Sequence, residues 1–480
     1  MNFLAMVVGS IGLFLCVWHR KRLGLSFDLN KQERNQILWL TLAFFCVIGS
    51  YTVLKELKDL FFAQIVGANY VYKVKLISMF VLIPATLLYA KLVDYMSRFK
   101  LLMFYSLLYG IAGFVIAYFL NDPVVGLANT VANSNRTFGW FIYLFYEGLV
   151  PFVISVFWSF ANSVTSPETA KKSYTLLIAG SKIGGMFTAG IAYLMFTPTT
   201  VLGKLQWSSV FINQVLLIGA SILLVISPCI IYYLLQTSTE KSLQGYEAVH
   251  EYEQEQEKKG EAETGVFSGL TMLFRYPYIM GIFGMMFFYE LVNVVLGIQR
   301  IVLLQEFAKD AAEFSGEMFY QRFLMHTVGL FISFFGTRIL IKKLGEQTCL
   351  ILIPLFMGGL LFCFMMFPSK ETILWVFMAL GMLNYAFASP LREALYIPTV
   401  RDIRFKSKAW IESFGQRFAK ACGSGVIGFI QRIALVGTPA YTALFSGFFI
   451  WVVALWTIVA WLLGRKYSSV IKKGEAIGAD

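Results

Sequence analysis

Long apolar stretches separated by short polar connections dominate the chain, and their length decides what they are. A helix needs about 20 mainly apolar residues to cross the hydrocarbon layer of a bilayer. Stretches of that kind fall near 36–54, 74–94, 100–120, 139–163, 173–196 and 209–235. A second set falls near 276–298, 315–341, 349–367, 372–397, 408–434 and 440–464. The pattern predicts an all-α membrane protein with 12 core transmembrane helices in two bundles of six. Residues 3–18 form one more apolar stretch, and the basic cluster His19-Arg20-Lys21-Arg22 follows it. That is the wrong polarity for a secretory signal, so an additional N-terminal hydrophobic helix in or on the membrane is predicted.

Between the two sets, 236–275 carries the charged run Glu251-Tyr252-Glu253-Gln254-Glu255-Gln256-Glu257-Lys258-Lys259, which reads as a solvated linker. The predicted division is therefore 1–35, an N-terminal bundle over 36–235, the linker over 236–275, a C-terminal bundle over 276–465, and a tail over 466–480. Basic residues cluster in alternate loops, at Arg98 to Lys100, Lys171-Lys172, Lys342-Lys343 and Arg401 to Lys408, and again at Arg465-Lys466 and Lys472-Lys473. The positive-inside rule puts these loops, the linker and the C-terminus in the cytoplasm, in a bacterial inner membrane. Two six-helix halves joined by a long cytoplasmic linker resemble the parallel repeats of the major facilitator superfamily. Ser181-Lys182-Ile183-Gly184-Gly185 in the fifth span answers Ala419-Lys420-Ala421-Cys422-Gly423 in the eleventh. Leu92-Val93-Asp94-Tyr95-Met96-Ser97-Arg98 resembles the superfamily's G-x-L-x-D-R-x-G-R-K turn in degraded form.

Composition sharpens the picture by exclusion. With 58% hydrophobic residues, 14% charged and a mean hydropathy of +0.68, the chain is more apolar than a soluble domain of its size. The excess of 40 Lys+Arg over 28 Asp+Glu serves orientation in the loops rather than nucleic-acid binding. Six cysteines are scattered singly, mostly in apolar runs, and read as reduced packing residues. Three histidines have no metal-ligand spacing around them, so no metal is expected; His326, beside Arg322 on an apolar stretch, reads as a helix-packing residue.

The informative residues are charges inside or beside these spans: Lys58, Glu147, Lys182, Glu290, Arg322, Arg392, Arg417 and Lys420. An ionisable side chain at the bilayer centre costs at least ~2.5 kcal/mol, so such groups face a bundle interior or a water-filled cavity. Their surplus is basic, which suits an anion. Tyr51, Lys55 and Lys58 recur at helical spacing on one face, where a phosphate chain or Glu56 and Asp59 could neutralise the lysines. Snorkelling to the interface is the alternative for Lys55. Glu147, Trp158 and Asn162 fall in a narrow sector of a helical wheel and predict a cavity wall. Glu290 is followed one turn later by Asn293. Interhelical salt bridges are the alternative for both carboxylates. The densest charge runs from Arg392 and Glu393 through Lys406 to Lys408, Glu412, Arg417 and Lys420. Arginine there offers a planar fork for phosphate oxygens and lysine a point charge.

Together these residues resemble the nucleotide (ATP/ADP) translocases of intracellular bacteria and plastids. Tyr51-Thr52-Val53-Leu54-Lys55-Glu56-Leu57-Lys58-Asp59 is similar to that family's first-helix signature. Glu147 with Phe157-Trp158-Ser159-Phe160-Ala161-Asn162 resembles its fourth-helix glutamate and F-W-G-F-A-N run, and Arg392-Glu393-Ala394-Leu395-Tyr396-Ile397-Pro398 its K-E-M-A-Y-I-P. Lys406-Ser407-Lys408-Ala409 and Ala419-Lys420 resemble the K-G-K-A and G-K-S-G-G elements that follow. The resemblance implies nucleotide exchange by antiport. Substrate binding is expected at Lys58, Glu147, Asn162, Lys182, Glu290, Asn293, Arg392, Arg417 and Lys420, with auxiliary roles for Lys55, Asp59, Trp158, Arg322, Glu393 and Glu412.

Departures concern the ligand. Gly180-Ser181-Lys182 stands where G-A-N is usual, the seventh-helix glutamate falls at Asn293, and Leu296-Gly297-Ile298-Gln299-Arg300 replaces W-K-S-K. No phosphate loop, H-E-x-x-H or Ser-His-Asp set points to an enzyme, and no cofactor is implied. A proton-coupled facilitator for another organic anion or phosphorylated metabolite is the rival expectation. The expected mechanism is rocker-switch alternating access around one central site where the halves meet. The expected partners are a nucleotide, with or without phosphate, and the lipid bilayer, for a monomer.

Overall fold

The computed structural model describes residues 31–165, 167–237, 268–335, 337–367, 369–384, 407–435 and 438–473, with isolated positions between 388 and 399 and at 477–478. The apolar stretch 3–18, linker residues 238–267, Glu393 and 401–406 lie outside the described residues.

Fourteen helices of eight residues or more organise the described chain: α1 Lys31–Phe62, α2 Val71–Tyr95, α3 Arg98–Phe119, α4 Thr137–Tyr146, α5 Ser155–Val164, α6 Pro167–Phe196 and α7 Ser209–Thr237, then α8 Ser268–Arg275, α9 Pro277–Phe307, α10 Ala311–Phe335, α11 Thr337–Met366, α12 Lys370–Leu383, α13 Gln416–Ile433 and α14 Pro439–Lys473. Among the described residues no β-strand occurs, only one bridge between Thr399 and Ile477. Each of the 12 predicted spans coincides at least in part with helix. By length and hydropathy alone, however, eight stretches qualify, and one of them, Gln32–Tyr89, takes in the first predicted span and most of the second. The remaining three fall short for physical reasons. Charged side chains lower the hydropathy of α10 and α13, and α12 is described over only 14 residues.

Local signals explain several boundaries. Ser97 accepts the Lys100 N–H at the start of α3, and Ser369 accepts that of Thr372 at the start of α12, each satisfying one orphan donor of a first turn. Pro84, Pro228 and Pro354 lie inside α2, α7 and α11, as membrane helices tolerate. Three wide π turns interrupt the α geometry: Ala63–Gly67 after α1, Val150–Ile154 before α5, and Ile411–Gly415 before α13. The first ends on Gly67 at φ 121°, a conformation that needs glycine.

The described residues fall into two compact units. The first is drawn from Met1–Tyr70, Phe80–Ala262 and Ala308–Leu330, the second from Val71–Met79, Glu263–Phe307 and Phe331–Asp480. In the first, α1 packs against α6 and α7, and α3 against α7. Small residues permit the close approach. A Cβ on Gly184 would press on the Phe45 carbonyl, and one on Gly180 on the Thr41 side chain. In the second, α9 packs against α13 and α14, and α11 against α14. There Gly423 of α13 meets the Leu291 carbonyl of α9, a Cβ standing 3.1 Å from its oxygen. Thus the fifth span of each half sets a glycine on a carbonyl of the first. Outward faces stay apolar and exposed, with Phe80 at 63%, Leu87 at 64% and Trp451 at 62%, as expected of surface that lipid covers.

The connection from α3 to α4 is ordered by polar side chains. Arg136 donates to the carbonyls of Asn129 and Val131 at 3.1 and 2.9 Å, to that of Val125 at 3.1 Å, and to Gly126. Asp122 accepts the N–H groups of Val124 and Val125, which holds its carboxyl below the usual carboxylate range.

Candidate functional site

One face of α1 stays partly exposed through Leu42, Phe45, Ile48, Tyr51 and Lys55, spaced three or four residues apart, whereas Asp59 and Phe62, which continue the same face, are buried. The stripe therefore ends at Lys55, whose ammonium lies 5.6 Å from the centre of the Tyr51 ring. Lys58 turns away from this stripe. It is buried, and Nζ meets Glu147 Oε2 at 2.8 Å, Asp59 Oδ1 at 3.0 Å and the face of Tyr143 at 3.9 Å. Tyr143 sits one turn before Glu147, so α4 and the residue after it present a ring and a carboxylate to the same cation.

On the other flank of α1, fully buried Glu56 accepts from the Nε of Arg322 on α10. Thr52 Oγ1 lies 3.1 Å from His326 Nε2, and Lys55, Lys182 and Arg322 all act electrostatically on that imidazole. Lys182 on α6 is buried in the same neighbourhood. Four cations (Lys55, Lys58, Lys182, Arg322) stand with three carboxylates (Glu56, Asp59, Glu147), so burial is offset by near balance of charge. Breaking such a buried pair by removing one partner costs about 3–5 kcal/mol.

The expected cavity wall on the fourth span is different in the structure. The π turn Val150–Ile154 separates Glu147 from Trp158 and Asn162 and breaks the regular wheel that would have aligned them. Glu147 faces Lys58. Trp158 packs edge-on against Phe44 at 5.0 Å and beside Tyr174 at 5.4 Å, and exposed Asn162 accepts from the Tyr174 hydroxyl at 2.5 Å.

In the second unit, buried Glu290 accepts from Asn293 Nδ2 at 3.3 Å. Further along α9, Gln299 donates to the Tyr441 hydroxyl at 2.7 Å. Arg300, 2% exposed, lies 4.5 Å from the centre of the Phe377 ring. Arg392 Nη2 is 3.5 Å from Asn384 Oδ1. Lys408 meets Glu412 at 3.9 Å in an i,i+4 pair. Arg417 and Lys420 are half-buried on α13, and the Lys420 carbonyl accepts from Ser424 at 2.9 Å.

The first unit thus brings together Lys58, Asp59 and Glu147, and places Lys182 beside Arg322. Tyr143 and the pairing of Glu56 with Arg322 escaped the sequence reading. Tyr143 is one tyrosine among 24, and Glu56 and Arg322 are 266 residues apart in the chain. A desolvated cation–π contact contributes about 2 kcal/mol. Tyr143→Phe, which keeps the ring, is therefore expected to retain most transport, whereas Tyr143→Ala should lose on the order of 10-fold in initial rate. Equal losses in proteoliposome uptake would assign the effect to the hydroxyl instead.

Helices of spanning length with buried charges inside them define a polytopic membrane protein. Solved structures of similar fold include a bacterial homologue of the iron transporter ferroportin in its inward-facing state (TM-score 0.54, 15% identity, 91% of this chain and 99% of that one). A bacterial homologue of the human lysosomal transporter Spinster, inward-facing and occupied, is another (TM-score 0.52, 13% identity, 94% of this chain and 100% of that one). The chain belongs to the TLC ATP/ADP transporter family, whose model matches residues 20–467. Relatives include ADP,ATP carrier protein 1 of Rickettsia conorii, 23% identical over 94% of this chain and 96% of that protein. ADP,ATP carrier protein 1 of Chlamydia pneumoniae is 24% identical over 95% and 96%. Membership in a transporter family also sets aside an enzymatic reading.

Proposed function

We propose that the protein exchanges nucleotides of the ATP/ADP type across a membrane by alternating access. The observation that carries this reading is Lys58. Inside a spanning helix, within the stretch that resembles the translocase signature, its ammonium is held at 2.8 and 3.0 Å by two carboxylates. An ammonium has three N–H donors, so a phosphate oxygen can take the place of one carboxylate while the other still holds it. In the proposed cycle, phosphate oxygens replace Glu147 on Lys58, with Lys182 adding charge in the first unit. Arg392, Arg417 and Lys420 are the corresponding candidates in the second, and Asn293 with Glu290 supplies a polar pair on α9. Asn162, Trp158, Lys55, Arg322, Asp59, Glu393 and Glu412 have auxiliary roles. Without ligand, the carboxylates reclaim the cations. With no phosphate bound, the surplus of cations over carboxylates at the site stays unneutralised, so movement without cargo is slow and exchange results.

The same reading proposes a monomer in a bacterial inner membrane, with the linker and C-terminus cytoplasmic by the positive-inside bias. It treats 36–235 and 276–465 as the two repeats and 236–275 as their tether. Inorganic phosphate is a candidate companion of the nucleotide.

Counterflow in proteoliposomes tests the proposal. With ADP inside, labelled ATP is expected to enter at least 10-fold faster than into empty vesicles, a ratio equivalent to about 1.4 kcal/mol. Uptake into empty vesicles that follows an imposed pH gradient would replace exchange with proton coupling.

A further inference from the structure

Thr52 and Glu56 lie one turn apart on α1, and Arg322 and His326 lie one turn apart on α10. Their contacts run in reverse order: His326 Nε2 is 3.1 Å from Thr52 Oγ1, and Arg322 Nε donates to Glu56 Oε1. Two such rungs make α10 an antiparallel neighbour of α1 over a full turn. A third contact comes from α6. A Cβ added to Gly185 would stand 2.5 Å from Cε1 and Nε2 of the His326 ring, so the imidazole rests directly on the glycine. Glu56, Thr52 and Arg322 are buried, at 0, 2 and 7% exposure, and His326 is partly exposed.

A related seat occurs in the second unit, where a Cβ on Gly428 of α13 would stand 2.8 Å from the ring of Tyr72 at the start of α2. By chain order, α2 and α10 carry the second predicted span of each half. They are also the helices in which the division between the units falls, after Met79 and after Leu330.

We infer that Thr52, Glu56, Gly185 and His326 are positioning residues of a demountable clasp. It grips the first part of α10 in the conformation described and lets it go when the carrier reorients. The inference rests on the nucleotide-exchange reading above. Three features make the grip reversible. The Thr52 hydroxyl also donates to the Ile48 carbonyl at 2.8 Å, so release of His326 leaves it bonded. Gly185 offers a smooth seat with no side chain to interlock. Lys182, buried beside Arg322, repels it and offsets part of the attraction of Glu56.

A reversible metal lock provides the test. With the six native cysteines replaced by serine, Thr52→Cys places a thiolate opposite His326, a pair that binds Cd2+. Exchange by this variant is expected to fall at least 10-fold with Cd2+ and to return with EDTA, while the Thr52→Ser control stays insensitive. Undiminished exchange while Cd2+ protects the introduced thiol from maleimide would overturn the clasp, since α10 then never leaves α1. The second arm exchanges the charges. Glu56→Arg with Arg322→Glu is expected to regain at least 10-fold over either single change. A double variant that folds but is as inactive as the singles would overturn it. Exchange without Cd2+ in the cysteine-free background tests the nucleotide reading itself, so the two failures are distinguishable.

Discussion

Lys58→Gln is expected to abolish nucleotide exchange and to be the most destabilising single change in the first unit. Glutamine withdraws the ammonium that stands within 3.0 Å of both Glu147 and Asp59. Stranding buried charge in this way costs about 3–5 kcal/mol. The companion double variant, Lys58→Gln with Glu147→Gln, removes one carboxylate along with the cation. It is expected to recover part of the lost thermal stability in detergent while exchange stays below detection. Stability and transport thereby separate, because packing tolerates a neutral pair and phosphate binding does not. A double variant no more stable than Lys58→Gln alone would show that Glu147 is not the partner whose charge matters.

The second large effect is expected at Gly184. A Cβ there presses on the Phe45 carbonyl, which is backbone and cannot rotate away, so α6 must move off α1. Overpacking of this kind costs about 1–3 kcal/mol for small additions, so Gly184→Val should unfold markedly earlier and Gly184→Ala somewhat earlier. Gly423→Ala, at a looser 3.1 Å from the Leu291 oxygen, is expected to be milder. Thermal melts in detergent rank the three. A Gly184→Val melt indistinguishable from that of the unaltered protein would mean that the two helices do not touch at this point.

Much of the fold was legible because a bilayer imposes one length on every spanning helix. The twelve apolar stretches follow from that constraint alone, and each coincides at least in part with helix among the described residues. The candidate site was legible only as an inventory. Charges stand out against apolar neighbours, so Lys58, Glu147, Lys182 and Arg322 could be picked, but partners remote in the chain could not. Glu56 appeared as a same-turn neighbour of Lys58 and instead serves Arg322 on α10. Tyr51, Lys55 and Lys58 appeared as one face. On α1 the first two share a half-exposed stripe, while Lys58 is drawn toward α4. His326 was legible in kind, as a packing residue, but not in its seat on Gly185. The alignment of Glu147 with Trp158 and Asn162 assumes an unbroken α geometry, which the π turn at Val150–Ile154 interrupts, and apolar sequence carries no marker of such a turn.

Those wide turns have one more consequence. Each holds a surplus residue that an ordinary helix would lack, so deletion is the change such a stretch can absorb without breaking. The surplus is taken up inside the turn, so side chains beyond it keep the direction of a helix one residue shorter. Removing one residue from Val150–Ile154 would leave a continuous rod with Trp158 still against Phe44 and Asn162 against Tyr174, whereas the same deletion in regular helix would turn both away by about 100°. The slack lies in the rod, and its far end stays aimed.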